Sequence, residues 1–171
     1  MRRVRDAAVD DAAACVQIYA PYVLDTAITF ETEVPKPEVM AARIRTAHAW
    51  LVLEDDGAVV GYAYATEFKS RVAYRWSVET SVYLDTDRRS GGGGRALYEE
   101  LLHRLARRGF RRAFAGVTQP NDVSMAFHRS FGFETAGVFR RVGWKHGAWR
   151  DVAWLQVDLL AEETDPLPEV T

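Results

Sequence analysis

Four consecutive glycines, Gly91-Gly92-Gly93-Gly94, stand between two segments of different periodicity. Before them, Val78-Glu79-Thr80-Ser81-Val82-Tyr83-Leu84 has the alternation and the β-branched content of a strand. After them, Leu97, Leu101, Leu102 and Leu105 recur at helical spacing until Gly109 stops the helix. A glycine run at such a junction lets the backbone curl so that successive amides converge. The helix behind adds unbonded N–H groups and the positive end of its dipole. The product is an anion nest suited to a diphosphate, with Arg88, Arg89 and Arg95 at its edge.

Other uses of glycine fit less well. A Walker A loop needs Gly-Lys-Ser/Thr, whereas Arg95-Ala96 follows Gly94. A dinucleotide fingerprint tolerates only the count that ends on Ala96, and it belongs in a first βαβ unit rather than mid-chain. A flexible loop without a ligand stays open as an alternative, because glycine loses the most freedom on ordering.

The rest of the chain supports one α/β domain. Arg3-Val4-Arg5 suits a first strand. Asp10 or Asp11 can cap a helix with Ala14, Ile18 and Val23 on its apolar side, which Pro21 ends or bends. Pro35 and Pro37 introduce a short helix through Met40 and Ile44. Trp50–Leu53 and Val59–Thr66 form a hairpin around Asp55-Asp56-Gly57. Phe114–Val117 is a strand, and Asn121 or Asp122 caps a helix through His128. Ala136–Leu160 reads as two strands about Trp144-Lys145-His146-Gly147. Strand lengths and the lack of repeated βα units exclude a TIM barrel. At 171 residues the chain is long enough for a full core.

Charge gives no global case for nucleic acid, although a local basic site stays open. The count is 22 basic and 24 acidic residues, net -2, with no basic domain. The run Arg104, Arg107, Arg108, Arg111 and Arg112 reads as a solvated helix face. The single cysteine, Cys15, lies in an apolar run and reads as a packed thiol in a reducing compartment. Apolar stretches are too short to span a bilayer and no h-region follows the basic start, so a cytoplasmic location is expected.

Two blocks then resemble the GCN5-related N-acetyltransferase superfamily. Arg89-Ser90-Gly91-Gly92-Gly93-Gly94 is similar to its acetyl-CoA pyrophosphate loop, Arg/Gln-x-x-Gly-x-Gly/Ala. Asn121-Asp122-Val123-Ser124 with His128-Arg129-Ser130-Phe131-Gly132-Phe133 resembles its Asn-x-x-Ala/Ser…Tyr/His-x-x-x-Gly-Phe block. Three further stretches resemble the phosphinothricin and methionine-sulfoximine N-acetyltransferases: Ile18–Val23 with Thr29-Phe30-Glu31, Tyr74–Leu84, and Val142–Val152. Ser90-Gly91 departs from the family's glycine and basic residue, but the phosphate-binding amides survive.

The resemblance implies a mixed, mostly antiparallel central sheet flanked by helices. It implies an acetyltransferase domain over 1–160; the acidic stretch over 161–171, with Pro166 and Pro168, has no core-forming pattern and reads as a frayed tail. The reaction implied is acetyl transfer from acetyl-CoA, without a metal, to a small amine such as phosphinothricin, methionine sulfoximine or methionine sulfone, by direct attack in a ternary complex. Another amino acid, a polyamine or a protein N-terminus remains an alternative acceptor, and a non-catalytic acyl-CoA-binding protein an alternative class.

An amine must lose its proton before it attacks, which calls for a base. Glu79 is the candidate, facing the acceptor directly or through water. The Val82 N–H would hold the thioester oxygen, with Tyr83 and Leu84 along the pantetheine. Arg89, Ser90, Gly91, Gly92, Gly93, Gly94 and Arg95 would take the pyrophosphate. Asn121 is a CoA contact, an N-cap or both. Ser124 and His128 are further cofactor contacts or plain helix residues, and His128 could protonate the leaving thiolate. Arg75 would clamp an acceptor carboxylate, beside Phe30, Tyr74, Trp76 and Ser77. Lys145 would meet a second acidic group. No acyl-enzyme is expected. The apolar C-terminal strands could support a homodimer, which the family often shows.

Overall fold

The computed structural model describes residues 2–88 and 91–160. Arg89, Ser90 and the 161–171 tail, all addressed by the sequence, lie outside the described residues. The strands are β1 (Arg3–Asp6), β2 (Ala49–Asp55), β3 (Ala58–Glu67), β4 (Ser77–Leu84), β5 (Arg112–Thr118), β6 (Glu134–Lys145) and β7 (Ala148–Asp158). The helices are α1 (Ala12–Asp25), α2 (Pro37–Thr46), α3 (Gly93–Arg107) and α4 (Asp122–Arg129). The strands form one sheet in the order β1-β2-β3-β4-β5-β7-β6. Every neighbouring pair is antiparallel except β4–β5, which is parallel.

Each face of the sheet has its own core. On one, Leu97, Tyr98, Leu101 and Leu105 of α3 and Met125 of α4 pack on Ala63, Ala65, Val78, Ala113, Ala115 and Leu155. On the other, Cys15, Ile18, Tyr19, Tyr22 and Val23 of α1 and Met40 and Ile44 of α2 pack on Trp50, Val52 and Tyr62. Residues two apart on a strand share a face. Val78, Thr80 and Val82 therefore serve the α3 face, whereas Glu79, Ser81 and Tyr83 face the α1–α2 side.

Three expectations are corrected. Pro21 does not end α1, which continues to Asp25. The third helix begins at Gly93 rather than Arg95. Trp144 and Lys145 belong to β6, leaving His146-Gly147 as the turn.

The glycine run combines two requirements. Gly91 (φ 92°) and Gly92 (φ 74°) take left-handed conformations that favour glycine. Gly93 and Gly94 are instead buried where α3 meets the sheet. A Cβ on Gly93 would lie 2.5 Å from Leu53 Cδ2, and one on Gly94 2.8 Å from Leu84 Cδ1. Two glycines make the turn and two allow close approach, so the run follows a defined path.

Candidate active site

The site begins where β4 and β5 part. Their pairing covers only Ser77, Val78 and Glu79 against Arg112, Ala113 and Phe114, while β4 stays paired with β3 as far as Leu84. The Asp85 N–H donates to the Val60 carbonyl on β3 (2.9 Å). Backbone groups alternate sides along a strand, so the Val82 and Leu84 amides turn away from β3 toward the opening. Tyr22 meets the Leu84 backbone there: its hydroxyl donates to the Leu84 carbonyl (2.6 Å), and the Leu84 N–H donates to the Tyr22 hydroxyl oxygen (3.3 Å). The Val82 amide lies at the mouth of the split. Tyr83 is engaged on β3 through its backbone, and its ring packs edge-on against Tyr19 and Tyr22.

Glu79 marks the last paired position and is half-buried. Burial raises its pKa above the ordinary carboxylate value, and the charge of Lys69 offsets part of that rise. Its register partner on β5 is Phe114. Gly116 and Trp154, a register pair of β5 and β7, continue this face. Phe68 stacks on Phe114 (ring centroids 4.0 Å apart) and meets Tyr74 and Trp154 edge-on. An aromatic wall thus stands beside the carboxylate. The sequence reading missed Phe68, Lys69, Phe114 and Trp154. The signal for Phe114 was period two: it alternates with the buried Ala113 and Ala115 and faces the other way.

The expected acceptor residues fall into two groups. Ser77 opens β4, and Tyr74 and Arg75 are exposed in the preceding loop. The Arg75 guanidinium lies 4.1 Å from the Trp76 ring centroid, and among the described residues no carboxylate pairs with it. Phe30 arrives from the loop after α1 and covers Gly143 of β6 so closely that a Cβ there would overlap its ring. Lys145 is placed otherwise than expected. It is 5% exposed, and its Nζ donates to the Val23 carbonyl (2.7 Å) and the Thr29 carbonyl (2.8 Å). The ammonium ties the Phe30 loop and the end of α1 to β6 and does not present a free cation to an acceptor. Burial lowers its pKa, with Glu31 opposing.

Among the residues expected at the cosubstrate, the Asn121 side chain accepts from the Ser124 N–H (3.1 Å), which is an N-cap. Arg95 reaches Ser130 Oγ (3.4 Å) and lies 5.1 Å from the Phe131 ring centroid. His128 departs from the expectation of a thiolate acid. It is 5% exposed, its Nδ1 pairs with the Ser124 carbonyl (2.8 Å), and its ring packs edge-on against Tyr98 and Phe133. Burial lowers its pKa, with the bond to the Ser124 carbonyl opposing.

Cys15 is fully buried, and burial pushes its thiol up to about 12. Arg104 pairs with Glu100 and Asp6, and Arg112 with Asp158, so the arginine run is partly consumed by ion pairs. Among the described residues no cluster of three or more His, Cys, Asp or Glu could hold a metal ion. No helix among them is long and apolar enough to cross a membrane.

Comparison with known proteins gives the class. The family model described as "Acetyltransferase (GNAT) domain" matches residues 4–154. A phosphinothricin N-acetyltransferase of Streptomyces viridochromogenes is 36% identical, over 91% of this chain and 86% of its own. An L-methionine sulfoximine/L-methionine sulfone acetyltransferase of Pseudomonas paraeruginosa is 35% identical, over 91% of this chain and 94% of its own. A GNAT superfamily phosphinothricin acetyltransferase from Sinorhizobium meliloti, solved in complex with AcCoA, superposes with a TM-score of 0.93 at 38% identity, covering 99% of this chain and 95% of that one. The chain belongs to the GNAT acetyltransferase family. It is an N-acetyltransferase with a mostly antiparallel GNAT sheet.

Proposed function

We propose that the protein transfers the acetyl group of acetyl-CoA to the primary amine of a small amino-acid-like acceptor: phosphinothricin, methionine sulfoximine or methionine sulfone. The observation that carries this is the parting of β4 from β5 just after Glu79. It places a carboxylate of raised pKa and an outward amide at Val82 on one short stretch of chain. The glycine nest stands at the end of the same strand, with Gly92 free of neighbours where a Cβ would point. These features fit acetyl-CoA, which supplies the acetyl thioester.

Glu79 takes a proton from the acceptor ammonium, directly or through one water, and leaves the nitrogen lone pair free to attack. A carboxylate shifted toward neutrality is a stronger base than an ordinary one. The Val82 N–H holds the carbonyl oxygen as negative charge gathers on it. The amides of Gly91–Gly94, with Arg89, Ser90 and Arg95 beside them, hold the pyrophosphate at the start of α3. Asn121 and Ser124 border the CoA arm. Arg75 pairs with the acceptor carboxylate, and Phe30, Tyr74, Trp76 and Ser77 with the aromatic wall enclose its side chain. Attack is direct, with no acyl-enzyme: the tetrahedral intermediate collapses as its C–S bond breaks, CoA leaves as the thiolate, and the second proton of the nitrogen passes to that thiolate or to solvent water.

A cytoplasmic location suits the single buried thiol. A second copy suits the β6–β7 hairpin, where Phe139, Val142, Trp144 and Trp149 are exposed, and light scattering at two concentrations reads that assembly. The functional test is acetyl-CoA-dependent thiol release against the three acceptors, ordinary amino acids, a polyamine and a short peptide, with product masses. Turnover on the first three supports the reading. Turnover only on the others replaces the acceptor, and CoA binding without any turnover replaces catalysis with a binding role.

A further inference from the structure

We propose that Arg2 is a positioning residue for the acetyl donor, presetting the glycine nest before the pyrophosphate arrives. The proposal rests on the assignment of Gly91–Gly94 as the pyrophosphate loop and adds a residue from the other end of the chain.

Arg2 Nη1 donates to the Gly91 carbonyl at 2.9 Å, across a sequence separation of 89. Its Nη2 pairs with Asp55 Oδ2 at 3.0 Å. Arg88 Nη1 approaches the same carboxylate oxygen at 3.9 Å. Asp55 is the last residue of β2, beside the Asp56-Gly57 turn. The guanidinium lies against the first and third glycines of the run: a Cβ on Gly91 would fall 2.9 Å from Arg2 Nη1, and one on Gly93 3.5 Å from it. A strut therefore joins the β2 end, the chain start and the first glycine.

Its consequence follows from peptide geometry. In a planar trans peptide the carbonyl and the next N–H point in opposite directions. Holding the Gly91 carbonyl toward Arg2 therefore aims the Gly92 N–H away from it. Glycine has the most backbone freedom to lose. A nest ordered in advance binds its anion without that loss, and a nest populated only part of the time binds proportionately more weakly. Arg2 and Asp55 side chains are 34% and 19% exposed, so the effect is moderate rather than all-or-none.

The experiment measures CoA and acetyl-CoA affinity by titration calorimetry, with steady-state kinetics, on the full chain and on Arg2→Ala, Arg2→Lys and Asp55→Asn. Arg2→Ala is expected to weaken CoA binding about 5- to 20-fold, with the loss in the acetyl-CoA KM rather than in kcat. Arg2→Lys recovers part of it, since an ammonium can still reach the carbonyl. The penalty persists with 3′-dephospho-CoA and disappears with S-acetylpantetheine, which lacks the pyrophosphate. Unchanged CoA affinity in Arg2→Ala overturns the proposal. So does a penalty retained on S-acetylpantetheine, which would mean general damage, or one lost on 3′-dephospho-CoA, which would mean a direct contact with the 3′-phosphate. If the unaltered chain binds no CoA, the donor assignment itself fails, and that failure shows before any variant is made.

Discussion

Lys145→Met separates a structural lysine from a substrate cation. The Val23 carbonyl is in the last turn of α1, where carbonyls lack helical partners, and Lys145 supplies the partner together with a favourable charge at the negative end of the helix dipole. The same ammonium satisfies Thr29. Methionine keeps the apolar stem but leaves both carbonyls without that donor. Each loss costs about 1–3 kcal/mol, offset in part because a charge no longer has to be desolvated. The expected net loss is about 2–3 kcal/mol, read as a lower urea midpoint at unchanged slope. The pH dependence has a definite sign. The folded-state pKa lies below 10.5, so the unfolded chain binds more protons over the window between the two values. Wild-type stability therefore gains from this group as pH rises through that window, and the variant lacks the gain. Release of the Phe30 loop raises the acceptor KM as a secondary effect. A wild-type urea midpoint combined with a raised acceptor KM would refute the argument and restore Lys145 as a substrate cation.

Glu79→Gln is expected to lower kcat/KM about 100-fold near pH 7 and by less as pH climbs toward the pKa of the acceptor amine. The wild-type acid limb falls above the ordinary carboxylate range, because burial raises the Glu79 pKa; parallel pH–rate profiles would remove Glu79 as the base. Arg75→Ala should raise the acceptor KM about 10-fold, with acetyl-CoA affinity nearly intact, and equal weakening of both ligands argues against the clamp. Leu101→Ala, at a fully buried position under the sheet, should cost about 3–4 kcal/mol in denaturant unfolding. A loss under about 1 kcal/mol would mean that the α3 face collapses to fill the gap.

The strands and helices were legible because their signals are local. Alternation in Val78–Leu84, the leucine spacing of α3 and the Asn121 cap each depend on neighbours a few residues away. The glycine run was visible as a special path. Its division into two left-handed residues and two close-contact residues was not, because Leu53 and Leu84 approach from other strands. Pro21 signalled an end or a bend, and the helix does not end there: packing of Cys15, Ile18, Tyr19, Tyr22 and Val23 accompanies α1 on to Asp25.

Residue type together with the family resemblance assigned Lys145 and His128 to ligands. A lysine or histidine in sequence offers donors without saying what they meet. In the fold, Lys145 closes α1, whose last turn contains no basic residue of its own, and His128 is enclosed by aromatic rings. What the sequence by itself determined was the order of elements, the glycine run at a strand-to-helix junction and the alternation that puts Glu79 opposite the α3 core. What only the tertiary structure decided was where β4 leaves β5, which carbonyls need a cation, and that Arg2 reaches Gly91. These depend on groups brought together across tens of residues, and local periodicity carries no record of them.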